Sequence, residues 1–89
     1  MEYSYPLRAD WSTEEIMIVT EFFTCIEKAY EQGIGREKLL GSYNSFKKVV
    51  PSMAEEKTLF KEFKEASSYE CYKVVKRAKE GGNGDIIKG

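Results

Sequence analysis

Three times in 89 residues a serine stands three places before a glutamate: Ser12–Glu15, Ser52–Glu55 and Ser67–Glu70. A serine there can accept the N–H of the third helical residue. The glutamate can reach back to the serine's own N–H, so two of the four unpaired donors at a helix start are satisfied. One such box is a weak signal. Three in one short chain, each leading into apolar residues at helical spacing, predict an all-α protein.

The spacing of apolar residues sets out four helices. The first opens after Ser12, with Trp11 and Ile16 placed as a hydrophobic staple. Ile16, Val19, Phe23, Ile26 and Tyr30 form one stripe, and Ile18, Phe22, Cys25 and Ala29 a neighbouring one. Together they cover more than one face, so this helix is expected at the centre. Gly33 suits a left-handed cap at its end. The second helix is expected from about Arg36 to Val49, with Leu39, Leu40, Tyr43, Phe46, Val49 and Val50 carrying the apolar face. Gly41 inside it points to a close helix contact or a break, and Pro51 forbids continuation. The third helix follows Ser52, with Met53, Leu59, Phe60 and Phe63 expected inside. The fourth follows Ser67–Ser68, with Cys71, Val74, Val75 and Ala78 as its stripe.

The fold class expected is therefore all-α: a compact four-helix domain over residues 1–80. An extended N-terminal segment, Tyr3–Leu7, is held out of helix by Pro6. Residues 81–89, rich in glycine, are expected as a flexible tail. That tail comes close to a glycine-rich calcium nonapeptide. Its Asp85 falls one place early and there is a single copy, whereas the motif works as stacked repeats.

Composition narrows the function. Fourteen basic and fifteen acidic side chains leave a net charge of −1, with no histidine. That balance excludes a strongly basic nucleic-acid binder and an acidic tail protein. No apolar run approaches the ~20 residues of a membrane span, and the start lacks the pattern of a signal peptide, so a cytoplasmic protein is expected. Two cysteines, Cys25 and Cys71, give no disulfide framework and read as free, buried thiols.

Without histidine the commonest general base and metal ligand is missing. There is no Ser–His or Cys–His pair, no zinc spacing and no phosphate loop. The carboxylate pairs Glu14–Glu15 and Glu55–Glu56 could do acid–base work from an apolar pocket. Both fall in first helical turns, where negative charge suits the helix dipole, and the structural role is favoured. Glu27 and Glu31, spaced i,i+4, lack the histidines a di-iron bundle would add. No catalytic residue, cofactor or metal is expected.

Two surface features remain. Lys73, Lys76 and Arg77 share one side of the fourth helix, and the third and fourth helices read loosely as a helix-turn-helix with a basic second member. Charge is also uneven: residues 1–44 hold four basic and eight acidic groups, and residues 45–89 ten and seven. Six tyrosines exceed what a small core needs, and aromatic side chains are enriched at interfaces.

Several strings resemble one family when taken in order: YSYPL, DWSTEEI, AYEQG, VVPSMAEEK and YKVVKRAKE. They cover Tyr3 to Glu80 and resemble the YktA-like family of small uncharacterised proteins from Bacillus-type bacteria. The resemblance implies a compact four-helix domain and a cytoplasmic bacterial protein. It implies no established activity, cofactor or site residue. Three positions depart from that family's pattern. Met53 stands where lysine is usual, Arg8–Ala9 replaces a more acidic pair, and Ser68 stands where glycine is usual. As a turn cap, Ser68 is expected to serve about as well.

The function expected is a small non-enzymatic interaction module, binding a protein partner or a second copy through a surface that includes Tyr5 and Trp11. The alternative is a nucleic-acid-associated protein using Lys73, Lys76 and Arg77.

Overall fold

The computed structural model describes residues 5–89. Four helices and two short strands follow in the order α1 (Thr13–Glu31), β1 (Ile34–Gly35), α2 (Arg36–Val49), α3 (Met53–Ser67), α4 (Cys71–Glu80) and β2 (Ile86–Ile87). Tyr3 and Ser4 of the expected extended segment lie outside the described residues. Its Pro6 is buried and Tyr5 half-buried.

The expected central helix is α1. Its capping box is complete: Glu15 N–H donates to Ser12 Oγ at 3.1 Å, and Ser12 N–H to Glu15 Oε1 at 2.8 Å. Val19, Phe22, Phe23, Cys25, Ile26 and Ala29 are all buried. Their rings organise the core. Phe22 stacks on Phe46 of α2 with centroids 4.7 Å apart, and Phe23 on Phe63 of α3 at 4.5 Å. Phe60 lies 5.7 Å from both Phe22 and Phe46. Offset aromatic contacts of this kind add to the burial of large apolar surfaces. Both cysteines are free and buried.

At the end of α1, the N–H groups of Gln32 and Gly33 both donate to the Lys28 carbonyl, at 2.8 and 2.7 Å. Gly33 has φ +90°, and a Cβ there would meet Ile86 Cγ2 at 2.9 Å. Glycine is required twice over, by the left-handed turn and by the approach of β2.

The sequence expectations are corrected at several places. Gly41 marks neither a break nor a close contact, because α2 runs through it and open space lies outside it. Met53 is 53% exposed rather than inside: it begins α3 in a turn beyond the core, its sulfur 3.8 Å from Lys47 Nζ. In its place Glu56 joins Leu59, Phe60 and Phe63 on the buried face. The second box is half formed, with Glu55 N–H donating to Ser52 Oγ at 3.4 Å.

The third box is not a helix start. Ser67 ends α3, its hydroxyl donating to the Phe63 carbonyl at 2.7 Å and accepting from Tyr69 N–H at 3.1 Å. Ser68 follows as a left-handed cap with φ +70°, the conformation that favours glycine. Helix α4 begins only at Cys71, and Glu70 before it makes no side-chain cap.

The tail expected over residues 81–89 returns to the domain. Ile34 pairs with Ile87 and Gly35 with Ile86 in an antiparallel ladder, and Ile87 is 5% exposed. The turn before it is fastened by Asp85, whose Oδ2 accepts Gly82 N–H at 2.8 Å and whose carbonyl accepts Arg36 N–H at 2.9 Å. Arg36 Nε donates to the Ala78 carbonyl at 2.6 Å. The domain is thus all-α with one small strand pair clasping the chain's end to the α1–α2 junction.

Candidate functional site

Two neighbouring features of α3 and α4 stand out chemically. The first is Glu56, a carboxylate with no exposed surface. Its position in α3 is three, four and seven residues before Leu59, Phe60 and Phe63, so helical geometry turns it inward with them. An isolated carboxylate there would be prohibitively costly. Glu56 instead receives Lys47 Nζ at 2.7 Å, the Tyr72 hydroxyl at 2.8 Å, and the Tyr43 hydroxyl at 3.3 and 3.5 Å to its two oxygens. The donors come from α2 and α4, so one side chain ties three helices together.

The electrostatics fix the proton positions. Burial first, and then the Glu56 charge and its hydrogen bond, push both Tyr43 and Tyr72 up to about 12. Both phenols therefore stay protonated as donors near neutral pH. Burial also raises the thiols of Cys25 and Cys71, holding them in their unreactive form. Lys79 Nζ sits 5.1 Å from the centre of the Tyr43 ring, a cation–π distance.

The second feature is a groove of about 350 Å³ between α3 and α4. Lys57, Lys61 and Lys64 line it from α3, at the i, i+4, i+7 spacing that puts them on one face. Lys73 lines it from α4, and Phe60, Cys71 and Tyr72 lie between. Lys64 is taken by Glu70 at 2.7 Å, which raises the lysine and lowers the carboxylate. Among the described residues, Lys57, Lys61 and Lys73 form no ion pair. Tyr72 joins the two features. Its hydroxyl points to Glu56, its ring meets Phe60 edge-on at 4.8 Å, and 40% of the residue is exposed beside the groove.

The residues singled out from the sequence are dispersed. Lys73 lines the groove and Lys76 is exposed. Arg77 donates to the Lys88 carbonyl of the C-terminal segment. Tyr5 packs over Phe23 and Phe63 and donates to Glu27, and Trp11 is half-buried against the core. Lys73, Lys76 and Arg77 thus lie on α4, whereas Tyr5 packs on rings of α1 and α3.

Sequence reasoning placed Glu56 with Glu55 in a first helical turn and Tyr43 on an apolar face, but missed that they meet Tyr72 and Lys47 in the interior, and it missed the α3 lysines as a group. A signal existed for both parts. Glu56 shares a helical stripe with three apolar residues, and Lys57, Lys61 and Lys64 share a face. Among the described residues, no three His, Cys, Asp or Glu side chains are placed to hold a metal ion. None of the helices is long and apolar enough to cross a membrane.

Residues 2–87 match the uncharacterised protein family UPF0223. A UPF0223 protein of Lysinibacillus sphaericus is 59% identical over 88 residues, covering 99% of this chain and 93% of that protein. One of Oceanobacillus iheyensis is 52% identical over 86 residues, covering 97% and 98%. One of Bacillus mycoides is 49% identical over 88 residues, covering 99% of each. These relatives come from the bacteria that the sequence strings suggested, and with the match over almost the whole chain they make it a member of the UPF0223 family.

Proposed function

We propose that this protein is a non-enzymatic interaction module whose partner protein seats in the groove between α3 and α4. One observation carries the reading: three lysines without ion pairs among the described residues border an apolar floor on a chain whose overall charge is −1. Apolar surface ringed by charge is the ordinary anatomy of a protein interface. The ionisable groups beneath the groove favour the same reading. Glu56 is engaged by three donors, and the phenols and thiol around it are held protonated. The reading places the chain in the cytoplasm, where Cys25 and Cys71 remain thiols.

The test is affinity capture from native cytosol with and without nuclease, using the chain itself and a Lys57→Glu/Lys61→Glu variant as bait. A protein that survives nuclease and is lost from the variant supports the module. Loss of every captured species on nuclease treatment overturns it and promotes nucleic-acid binding by the α3–α4 pair. Light scattering separates a second copy from a foreign partner. A mass of ~10 kDa across the concentration range, set by the 89-residue chain, removes self-association.

A further inference from the structure

We infer that the segment received by the α3–α4 groove is acidic and carries one large apolar anchor. This rests on the interaction-module reading and names the partner's chemistry. Along α3, Lys57 and Lys64 are seven residues apart, about 10 Å at ~1.5 Å per residue, with Lys61 between them. Lys73 faces them from α4. The chain itself shows what this wall accepts: the Glu70 carboxylate sits on Lys64 at 2.7 Å. Among the described residues, the ammonium groups of Lys57, Lys61 and Lys73 have no ion-pair partner, and they can receive carboxylates supplied from outside.

The floor sets the second requirement. Phe60 is 5% exposed and Tyr72 40%. The one polar atom of the Tyr72 side chain is already bound inward to buried Glu56 at 2.8 Å. The ring is left as apolar surface, edge-on to Phe60. The lysine stems extend that surface while their heads stay at the rim. An occupant therefore gains from an aromatic or branched aliphatic side chain placed between its acids. A helical segment with acids one and two turns apart fits the lysine spacing.

A polyanion fits less well. Non-specific phosphate binding is built from many lysine and arginine contacts, and of the next two cations along α4, Lys76 is exposed while Arg77 is already bound to a carbonyl. The charge of −4 on residues 1–44, from four basic and eight acidic groups, repels a long anion more than a short one.

The experiment pans a display library of random twelve-residue peptides on the full chain, then measures selected synthetic peptides by fluorescence anisotropy. The expected winners are rich in Asp and Glu with one Leu, Phe or Trp among them. Their affinity falls at least tenfold on replacing the anchor with Ala. It falls at least tenfold on Lys57→Glu/Lys61→Glu, both exposed positions whose variant is checked for native circular dichroism. A charge-reversed peptide with Lys for each acid should bind the variant better than the parent protein, a gain that an unfolded variant could not show. Winners without acidic enrichment, or acidic winners that bind parent and variant equally, overturn the inference while leaving an interaction module intact. Displacement of the peptide by a single-stranded twenty-nucleotide DNA of tighter affinity also overturns it. Failure of cytosolic capture to return any nuclease-resistant protein removes the underlying reading instead.

Discussion

Replacing Glu56 with alanine should be among the most damaging single changes available to this chain. The carboxylate is fully buried and takes Lys47, Tyr72 and Tyr43. Each donor answers its loss differently. Tyr43 is 7% exposed, so its stranded hydroxyl costs about 1–3 kcal/mol. The Tyr72 hydroxyl belongs to a residue 40% exposed and can be rehydrated nearby. Lys47 has a side chain 25% exposed, so its ammonium turns outward. The penalty then stays below the ~3–5 kcal/mol typical of breaking a fully buried pair. Together these give a loss of about 2–4 kcal/mol. For a domain of this size each kcal/mol moves the midpoint by about 4–8 °C, so Tm should fall by about 8–32 °C.

Urea unfolding at pH 7, followed by circular dichroism, measures this directly. Glu56→Gln keeps one carbonyl acceptor for a phenol and should lose about half as much, near 1–2 kcal/mol. Lys47→Met removes the ammonium donor and leaves the buried carboxylate without its counter-charge, so it should cost at least as much as Glu56→Gln. The double variant Glu56→Gln/Lys47→Met has neither charge. It should be less damaged than the sum of the singles by about 1 kcal/mol or more. A loss under about 0.5 kcal/mol for Glu56→Ala, or strict additivity in the cycle, would refute the argument that this carboxylate fastens the three helices.

Three further outcomes follow from the same geometry. Tyr43 and Tyr72 are pushed up to about 12, chiefly by burial and then by Glu56, whereas an unfolded phenol ionises near 10. Their stabilising contribution is complete below pH 10 and is lost as pH rises from 10 to 12. Urea midpoints should fall across that window and fall less in Tyr43→Phe; an unchanged midpoint from pH 9 to 11 contradicts the assignment. Ser68 adopts φ +70°, so Ser68→Gly should raise stability by about 0.5–1 kcal/mol, and a destabilised variant would mean that the Ser68 side chain supports the turn. Ile87 is 5% exposed, so Ile87→Ala should cost about 2–4 kcal/mol by thermal unfolding, whereas a neutral result would show that β2 does not hold the chain's end to the domain.

What the sequence made legible follows from how local each signal is. The complete box at Ser12 and the two apolar stripes of α1 depend on residues within one or two turns; the box is present as read, and the stripes are buried except at half-buried Ile16, Ile18 and Tyr30. Ser67 was equally local and still ambiguous. A serine near a helix junction can cap the next helix or bond back to the carbonyl four residues earlier, and here it bonds back to Phe63. Only the backbone turn at Ser68 separates the two outcomes. The strand pair was beyond reach for a different reason. Two residues carry no periodicity, and Ile87 finds Ile34 across more than half the chain. Glu56 lay on the apolar stripe in plain sight. A charge there is normally read as a flanking position because buried carboxylates are rare without partners. Its partners stand in the helices before and after it.

The basic surface shows the same limit more sharply. Lys73, Lys76 and Arg77 are close in sequence and so stood out as the alternative, nucleic-acid-binding face. Lys57, Lys61 and Lys64 are spread over two turns of α3 and do not stand out as a cluster in the sequence. Periodicity says which residues share one helix face. It does not say which faces of two helices open onto a common cleft, because that depends on their crossing angle and on the turn between them. Here the turn at Ser68–Glu70 sets α4 so that Lys73 meets the α3 lysines across Phe60 and Tyr72, while Arg77 turns to the Lys88 carbonyl. Glu56 then holds Tyr72 in place by its hydroxyl, so the floor of the groove is fixed by the same carboxylate that fastens the helices. Affinity at the groove and stability of the domain should therefore fall together in Glu56→Gln, whereas Lys57→Glu and Lys61→Glu, at exposed positions, should lower affinity alone.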